Sequence, residues 1–246
     1  MLTLKKGSVS KVRYVIRFAK EKDIKFISHL DLMRTIHRVI RRAGLPVEYS
    51  KGFNPHMNLS IAQPLSVGVY SKGEYMDIVL TEEVAEELII NKLNDSAPPA
   101  IKFLQAVRVP DAFPDGKKIP QVASIIEAAL YTIKIKYDDV ERGYKDLKNL
   151  LKKEQWITIK KGKKGEKEID VKRLIKEFKF DIEGDSIVIE ALIACGSREN
   201  LSPELLSSYI KANTDAVKEN SFVEVERQEM YTIKEGKYVS IASYFK

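Results

Sequence analysis

The order of two hydrophobic periodicities along the first half of the chain is the feature that most constrains the fold. Along residues 12–18, the side chains of an apolar face alternate with those of a more polar face, which is the pattern of a half-buried β-strand. Residues 30–43 place apolar side chains at helical spacing, after the start signal Ser28-x-x-Asp31 and before the stop signal Gly44. The chain therefore changes from a strand to a helix early in its sequence.

The following segments continue this alternation. Short apolar runs predict strands, one further run has helical spacing, and Pro98-Pro99 ends that helix. The predicted elements are an interrupted strand over 47–50 and 58–62, a strand over 74–80, a helix over 82–94 and a strand over 101–107. The order β-α-β-β-α-β is that of a ferredoxin-like unit.

The rest of the chain repeats this order after a turn-rich segment that contains Pro110, Pro114, Gly116 and Pro120. The predicted strands cover 130–137, 156–159, 186–194 and 222–231, and the predicted helices cover 138–153 and 202–213, with a short inserted helix over 170–178. The predicted fold class is therefore α+β, with two tandem ferredoxin-like (βαββαβ) units. Its divisions are a domain over 1–109, a linker over 110–125 and a second domain over 126–246.

Composition excludes several classes of protein. The 246 residues are 44% apolar, enough to bury a core, and a single cysteine excludes a disulfide framework. Cys195 ends an apolar run, and we expect it to be buried rather than nucleophilic. The sequence has no membrane-spanning apolar run, signal core, phosphate-binding glycine loop or metal-ligand spacing. We therefore expect a soluble, cytoplasmic protein with no cofactor, no metal and no membrane partner.

The formal net charge of +7 is concentrated near the start of the sequence. Residues 1–70 hold 13 Lys and Arg side chains against 4 Asp and Glu, whereas the remaining residues hold 29 basic and 31 acidic ones. All three histidines also lie within residues 1–70. A local positive excess of this kind is typical of surfaces that bind nucleic acid or an acidic partner.

Four arginines lie on the predicted helix over 30–43, at the spacing i, i+4, i+7 and i+8 that places them along one side. They repel one another unless anions or solvent compensate, and the guanidinium fork matches phosphate oxygens. We expect this side to hold RNA phosphates, the structural alternative being a solvated helix face. The arginines are Arg34, Arg38, Arg41 and Arg42.

The loop over 49–56 combines aromatic, basic and hydrogen-bonding groups. Its aromatic and imidazole rings are suited to unpaired bases, and its glycine permits close approach of the backbone. The structural alternative is a turn whose aromatic side chains pack inward. We expect RNA contacts from Tyr49, Lys51, Phe53, Asn54 and His56.

His29 is the candidate for catalysis, because it begins the arginine-rich helix, where unpaired backbone N–H groups favour an anion. There a histidine could act as general acid or base on a ribose hydroxyl or a phosphate. A structural role, in which His29 holds the preceding loop, is the favoured interpretation.

The first half also carries a series of motifs: Phe26-Ile27-Ser28-His29-Leu30-Asp31-Leu32-Met33-Arg34, Arg38, Arg41-Arg42-Ala43-Gly44-Leu45-Pro46, Tyr49-Ser50-x-Gly52-Phe53-Asn54-Pro55-His56, Pro64-Leu65-Ser66-Val67-Gly68-Val69 and Glu74-Tyr75-Met76-Asp77. Together they closely resemble the bacterial radical SAM-linked family, whose members occur beside a radical SAM enzyme or fused to one. One departure is Met57-Asn58, where a proline and a basic residue are common. Because the family has no assigned activity, the resemblance implies a partner rather than a reaction.

The sequence therefore predicts an RNA-binding adaptor that presents a tRNA or rRNA to a radical SAM modification enzyme and has no activity of its own. In this hypothesis the second unit provides the protein-facing surface. A second hypothesis is a metal-independent RNA-processing enzyme that uses His29 as acid or base. A third is a subunit that binds no nucleic acid and docks its positive surface on an acidic protein partner.

Overall fold

The computed structural model describes residues 11–113, 115–162 and 165–245. These residues form a mixed α+β fold, with a large, mostly antiparallel sheet of nine strands and six helices. No helix within these ranges is long and apolar enough to cross a membrane. Pro114 of the predicted linker and two N-terminal lysines of the basic segment, Lys5 and Lys6, lie outside the described residues.

The described residues of the first half form two α-helices and four strands in the predicted order. They are β1 (Val12–Lys20), α1 (His29–Arg42), β2 (Leu59–Ile61), β3 (Val69–Leu80), α2 (Glu86–Ser96) and β4 (Ile101–Arg108). The predicted strand over 47–50 is reduced to two isolated bridges, Val47 with Leu80 and Tyr49 with Met57. Pro46 precedes this segment and cannot donate a backbone hydrogen bond, which limits regular pairing there.

Over the ranges that the structure describes, the second half has four α-helices and seven strands. They are α3 (Val122–Ile125), β5 (Ala128–Lys136), α4 (Val140–Lys152), β6 (Ile157–Gly162), β7 (Gly165–Asp170), β8 (Ile175–Glu183), β9 (Ser186–Ala194), α5 (Pro203–Ala212), β10 (Glu224–Lys234), β11 (Lys237–Ser240) and α6 (Ile241–Tyr244). The predicted linker thus holds the short helix α3, whose residue Val122 is fully buried.

The helix predicted over 170–178 is wrong. A single 3-10 turn covers Lys172–Leu174, and β8 begins at Ile175 and pairs antiparallel with β9. Phe178, Phe180 and Ile182 are half-buried and alternate with exposed residues, which is the period of a strand. The predicted strand over 156–159 exists as part of β6, but it pairs with β7 in a separate hairpin.

The main path of the sheet runs β4-β1-β3-β10-β5-β9-β8, with β2 beside β3 and β11 beside β10. Strands of the first and second halves meet where β3 and β10 pair in parallel, with Val69 opposite Val225 and Ser71 opposite Arg227. We call this contact the β3–β10 seam. A single sheet therefore runs through both halves of the chain.

The β3–β10 seam depends on a close backbone approach and on a buried ion pair. A Cβ atom on Gly73 would lie 2.6 Å from the backbone oxygen of Gln228, so glycine is required for the strands to approach this closely. Nearby, the guanidinium of Arg227 donates from Nε to Oε1 of Glu74 at 2.8 Å, and both side chains are 1% exposed. A buried charge of this kind is tolerated only with a hydrogen-bonded partner.

Two apolar clusters cover the sheet. One lies beneath α1 and α2 and contains Ile16, Ile36, Ile78 and Ile89. The other includes the inward side chains of α4 and α5 and Trp156, which is fully buried. The arginine-bearing helix α1 is therefore fixed to the sheet by its apolar face.

Candidate functional site

Helix α1 begins and ends where the sequence predicts. The hydroxyl of Ser28 accepts a hydrogen bond from the backbone N–H of Asp31 at 3.2 Å, which caps the helix, and Gly44 follows its end with φ of +61°. Its buried residues are Leu32, Ile36, Val39 and Ile40. Arg34, Arg38, Arg41 and Arg42 are all exposed, and helical spacing places them on the side away from this core. We call this side the arginine face.

Two arginines of this face have protein partners. Arg34 donates to the carboxylate of Asp31 at 2.9 Å, and Arg42 donates to the backbone oxygen of Ser96, at the end of α2, at 2.7 Å. The Ser28 hydroxyl and then the Arg34 guanidinium hold the pKa of Asp31 below its usual range. The side chains of Arg38 and Arg41 form no hydrogen bond or ion pair among the described residues. These two guanidiniums are the ones available to an external anion.

The 49–56 loop is closed at its base and exposed at its tip. Ser50 donates its backbone N–H to the carbonyl of His56 at 2.8 Å, and its hydroxyl lies 2.9 Å from Nδ1 of the same histidine. Phe53 is fully exposed, and Tyr49 is 43% exposed. The phenylalanine ring therefore points into solvent, contrary to the structural alternative of an inward-packed turn.

The other polar side chains of the loop, Lys51 and Asn54, are also exposed. Beside the loop lies an open groove of about 380 Å³, whose lining includes Tyr49, His56 and Gln121. The groove is large enough for a planar heterocycle. Its lining offers the ring of Tyr49, the side-chain amide of Gln121 and the imidazole of His56.

The loop and the C-terminal end of α1 lie at the same end of the first-half sheet. Thr81 donates its backbone N–H to Pro46, just after α1, at 2.8 Å, and Val47 bridges to Leu80 at the end of β3. Met57, at the base of the loop, is buried in the same cluster as the apolar face of α1. The structure thus brings Arg41 and Arg42 to the end of the sheet that carries the loop.

His29 lies at the opposite end of α1. A helix of 14 residues is about 20 Å long, so His29 is separated from Arg42 by nearly that length. The imidazole is half-buried, and its Nδ1 is buried without a hydrogen-bond partner in the described part of the chain. His29 therefore lies apart from the exposed loop and from Arg38 and Arg41.

Other candidate reactive groups lie apart from these residues. Burial, and then the charge of Arg41, lower the pKa of His37, so this imidazole is mostly neutral at pH 7. Cys195 is buried as the sequence predicts, and burial raises the pKa of its thiol. Over the described ranges, no group of three or more His, Cys, Asp or Glu side chains is arranged to hold a metal ion.

Sequence reasoning passed over one exposed surface at the start of α1. Phe26 and Phe222 are 62% and 50% exposed and contact each other, with Lys25 beside both rings. Phe26 begins the motif that runs to Arg34, but its pairing with Phe222, almost 200 positions away, has no signal in local sequence.

The fold and this surface define an α+β protein with a nine-stranded sheet and an exposed arginine face on its first helix. The chain belongs to the bacterial family described as "Uncharacterized protein conserved in bacteria (DUF2344)", whose match covers residues 13–203. The match includes all of α1 and the 49–56 loop. The description mentions neither a radical SAM enzyme nor RNA, so both stay predictions.

Two solved structures align with most of the chain at low similarity. "Crystal Structure of an Unknown Protein from Galdieria sulphuraria" shares 12% identity, with 89% of this chain and 98% of that chain covered and a TM-score of 0.25. "Crystal structure of putative glycine cleavage system transcriptional repressor" shares 9% identity, with 94% and 98% covered and a TM-score of 0.22. TM-scores this low carry no inference about fold or function. No curated protein matches the chain.

Proposed function

We propose that the protein is an RNA-binding adaptor that presents a tRNA or rRNA to a radical SAM modification enzyme and has no activity of its own. The observation that carries the proposal is the arginine face of α1. Arg38 and Arg41 are exposed there without a protein partner in the described residues, on a helix whose opposite side is fixed in the core. Unpaired guanidiniums held on a rigid element suit phosphate oxygens.

The 49–56 loop supports RNA over a simple polyanion. Its exposed Phe53 ring is suited to stacking on an unpaired base, and the hydrogen bonds between Ser50 and His56 fix the loop base. Because the C-terminal end of α1 and this loop share one end of the sheet, a single RNA strand could reach phosphate-binding and base-contacting groups together.

The hypothesis of an RNA-processing enzyme is less well supported. A general acid or base must reach the reacting group and needs a second group that orients it, yet the His29 imidazole is half-buried and its Nδ1 has no hydrogen-bond partner among the described residues. Cleavage or isomerisation of RNA by the purified protein, abolished in His29→Ala, would favour that hypothesis over the adaptor.

The binding claim is tested with a double variant, Arg38→Ala with Arg41→Ala. We expect RNA affinity to fall about 10-fold or more at near-physiological salt, since each phosphate contact contributes to binding. The matched control is Lys145→Ala with Lys148→Ala on α4, which removes the same charge at the same i, i+3 spacing from exposed positions in the second half. Equal RNA affinity of the arginine variant and this control contradicts the proposal.

The partner claim rests on the resemblance to the radical SAM-linked family. It is tested by purifying this chain from its own cells, with and without ribonuclease, and looking for a radical SAM enzyme among the bound proteins. We expect a complex that survives ribonuclease. If the arginine variant binds RNA normally but loses the complex, the positive surface instead binds an acidic protein partner.

We also propose that the sheet is built from two tandem ferredoxin-like units, a domain over 1–109 and a domain over 126–246 joined by a linker over 110–125. Strand order supports this division. The first-half strands lie side by side in the order β4-β1-β3-β2, that is, fourth, first, third and second along the chain. The second-half strands lie in the order β10-β5-β9-β8, which is the same fourth, first, third and second if the β6–β7 hairpin is taken as an insertion. Separate expression of residues 1–109 tests the division, and a cooperative unfolding transition is the expected result.

A further inference from the structure

An exposed aromatic patch lies just before α1 and joins the two halves of the chain. The rings of Phe26 and Phe222 are 62% and 50% exposed, with centroids 5.8 Å apart and planes at 70°. The ammonium group of Lys25 lies 5.1 Å from the first centroid and 4.3 Å from the second. Exposed phenylalanine rings do not gain the free energy that burial provides. A contacting pair of exposed rings is therefore typical of a binding surface.

The patch is held on a rigid base. The buried ammonium group of Lys20 donates to the carbonyl oxygens of Lys25 and Val69 at 3.0 and 3.1 Å, and Gly68 donates its N–H to the same Lys25 carbonyl at 2.8 Å. A Cβ atom on Gly68, whose φ is +92°, would lie 3.4 Å from the Phe222 ring. These contacts fix the backbone of Lys25, next to Phe26, and place Gly68 against the Phe222 ring.

The arginine face of α1 leads toward this patch. Leu30, Arg34, Arg38 and Arg41 follow one another at i, i+4, i+8 and i+11, which is one side of a helix. Leu30 is 64% exposed and lies in the first turn of α1, four residues after Phe26. The patch thus stands at the end of the face that the proposed function assigns to phosphates.

We propose that Phe26, Phe222 and Lys25 form a binding site for unpaired nucleotides of a single-stranded RNA segment, an inference that rests on the proposed RNA-binding function. Each phenylalanine ring offers a face for base stacking, which is tolerant of base identity. Lys25 provides a cation for an adjoining phosphate. Its charge acts on the carboxylate of Glu224, but Glu224 forms its ion pair with Lys22, at 2.8 Å, and no carboxylate in the ranges that the structure describes lies within ion-pair distance of Lys25. The strand continues from this site along the arginine face.

The position of Lys25 favours nucleotides over an apolar protein surface. Its ammonium group lies against both rings, so a partner that buried the rings with apolar side chains would also remove this charge from water. A nucleotide avoids that cost, because its base covers a ring while its phosphate neutralises the ammonium group.

The test separates stacking from simple apolar contact. The probes are a single-stranded RNA oligonucleotide and a fully paired RNA duplex of the same sequence. Phe26→Leu with Phe222→Leu keeps apolar side chains but removes both flat rings, and we expect affinity for the single strand to fall about 10-fold or more. Affinity for the duplex should change less than about 2-fold, because paired bases cannot stack on the patch.

Two further variants complete the design. Phe222→Trp retains a larger ring and should keep single-strand affinity within about 3-fold of the original protein. Tyr238→Leu removes another exposed aromatic ring, on β11, and should leave the affinity unchanged.

Each outcome bears on a different claim. Unchanged single-strand affinity in the double leucine variant overturns this inference, and loss of the radical SAM complex in that variant would assign the patch to protein docking instead. The proposed function still stands if the Arg38 and Arg41 variant has weakened binding while the leucine variant does not. If the original protein binds neither probe, both claims fail together.

Discussion

Replacing Arg227 with methionine should lower the free energy of unfolding by about 3–5 kcal/mol, because it leaves a buried carboxylate without its partner. The side chains of Arg227 and Glu74 are each 1% exposed, so water cannot replace the lost guanidinium. Arg227 also donates to the carbonyl oxygen of Gln63 at 2.6 Å and to the hydroxyl of Tyr131 at 3.3 Å. The variant therefore leaves several buried acceptors unpaired at the β3–β10 seam.

The assay is urea unfolding followed by circular dichroism, with the midpoint and slope compared between variants. Lys134→Met removes one partner of an exposed pair with Glu183 and should change stability by less than about 1 kcal/mol. Adding Glu74→Gln to Arg227→Met should recover part of the loss, since the unpaired charge is then gone. A loss of less than about 1 kcal/mol in Arg227→Met would refute the argument that this ion pair is buried and essential to the seam.

Three further changes have definite expected results. Gly73→Ala should destabilise the protein by about 1–3 kcal/mol in the same urea assay, because the added Cβ would meet the backbone of Gln228. The control Lys72→Ala removes only an exposed ion-pair partner of Glu226 and should cost less than about 1 kcal/mol. Ser28→Ala removes the cap of α1 and should cost about 1 kcal/mol, also measured by urea unfolding. The pKa of His37 in the folded protein lies below its unfolded value of about 6.5, so this imidazole stabilises the fold at higher pH and that stability is lost as the pH falls below about 6.5. The thermal midpoint of His37→Gln should therefore drop less between about pH 7.5 and pH 5.5 than that of the original protein.

Local signals predict the elements whose own residues determine them. The sequence predicts α1 over 30–43 and the helix spans His29–Arg42, because its apolar spacing, its serine cap and the glycine after its end all agree. The order of elements along the first half is predicted for the same reason, since the apolar alternation of β1 matches the face that the helices cover.

Elements that depend on distant partners were harder to predict. Strand β8 carries the alternation of Phe178, Phe180 and Ile182, but its pairing with β9 decides its conformation, and a short apolar run of this kind is also compatible with a helix. The seam likewise depends on contacts such as Arg227 with Glu74, which lie more than 150 positions apart.

The same limit applies to the candidate site. The spacing of the arginines predicts one exposed face, which the structure has, and Asp31 lies three residues before Arg34, within reach of an ion pair. The hydrogen bond from Arg42 to the backbone oxygen of Ser96 depends on how α1 and α2 pack. Local sequence does not predict it. Only the structure therefore distinguishes Arg38 and Arg41 from their two paired neighbours.

The salt dependence of RNA binding tests the central claim most directly. If Arg38 and Arg41 each hold one phosphate of a single strand, removing both should reduce the slope of log K against log salt by about 1.4, since each contact contributes roughly 0.7. The Lys145 and Lys148 double variant should keep the original slope. Binding that is insensitive to salt, or a slope that stays the same without the two arginines, would contradict the assignment of the arginine face to RNA phosphates.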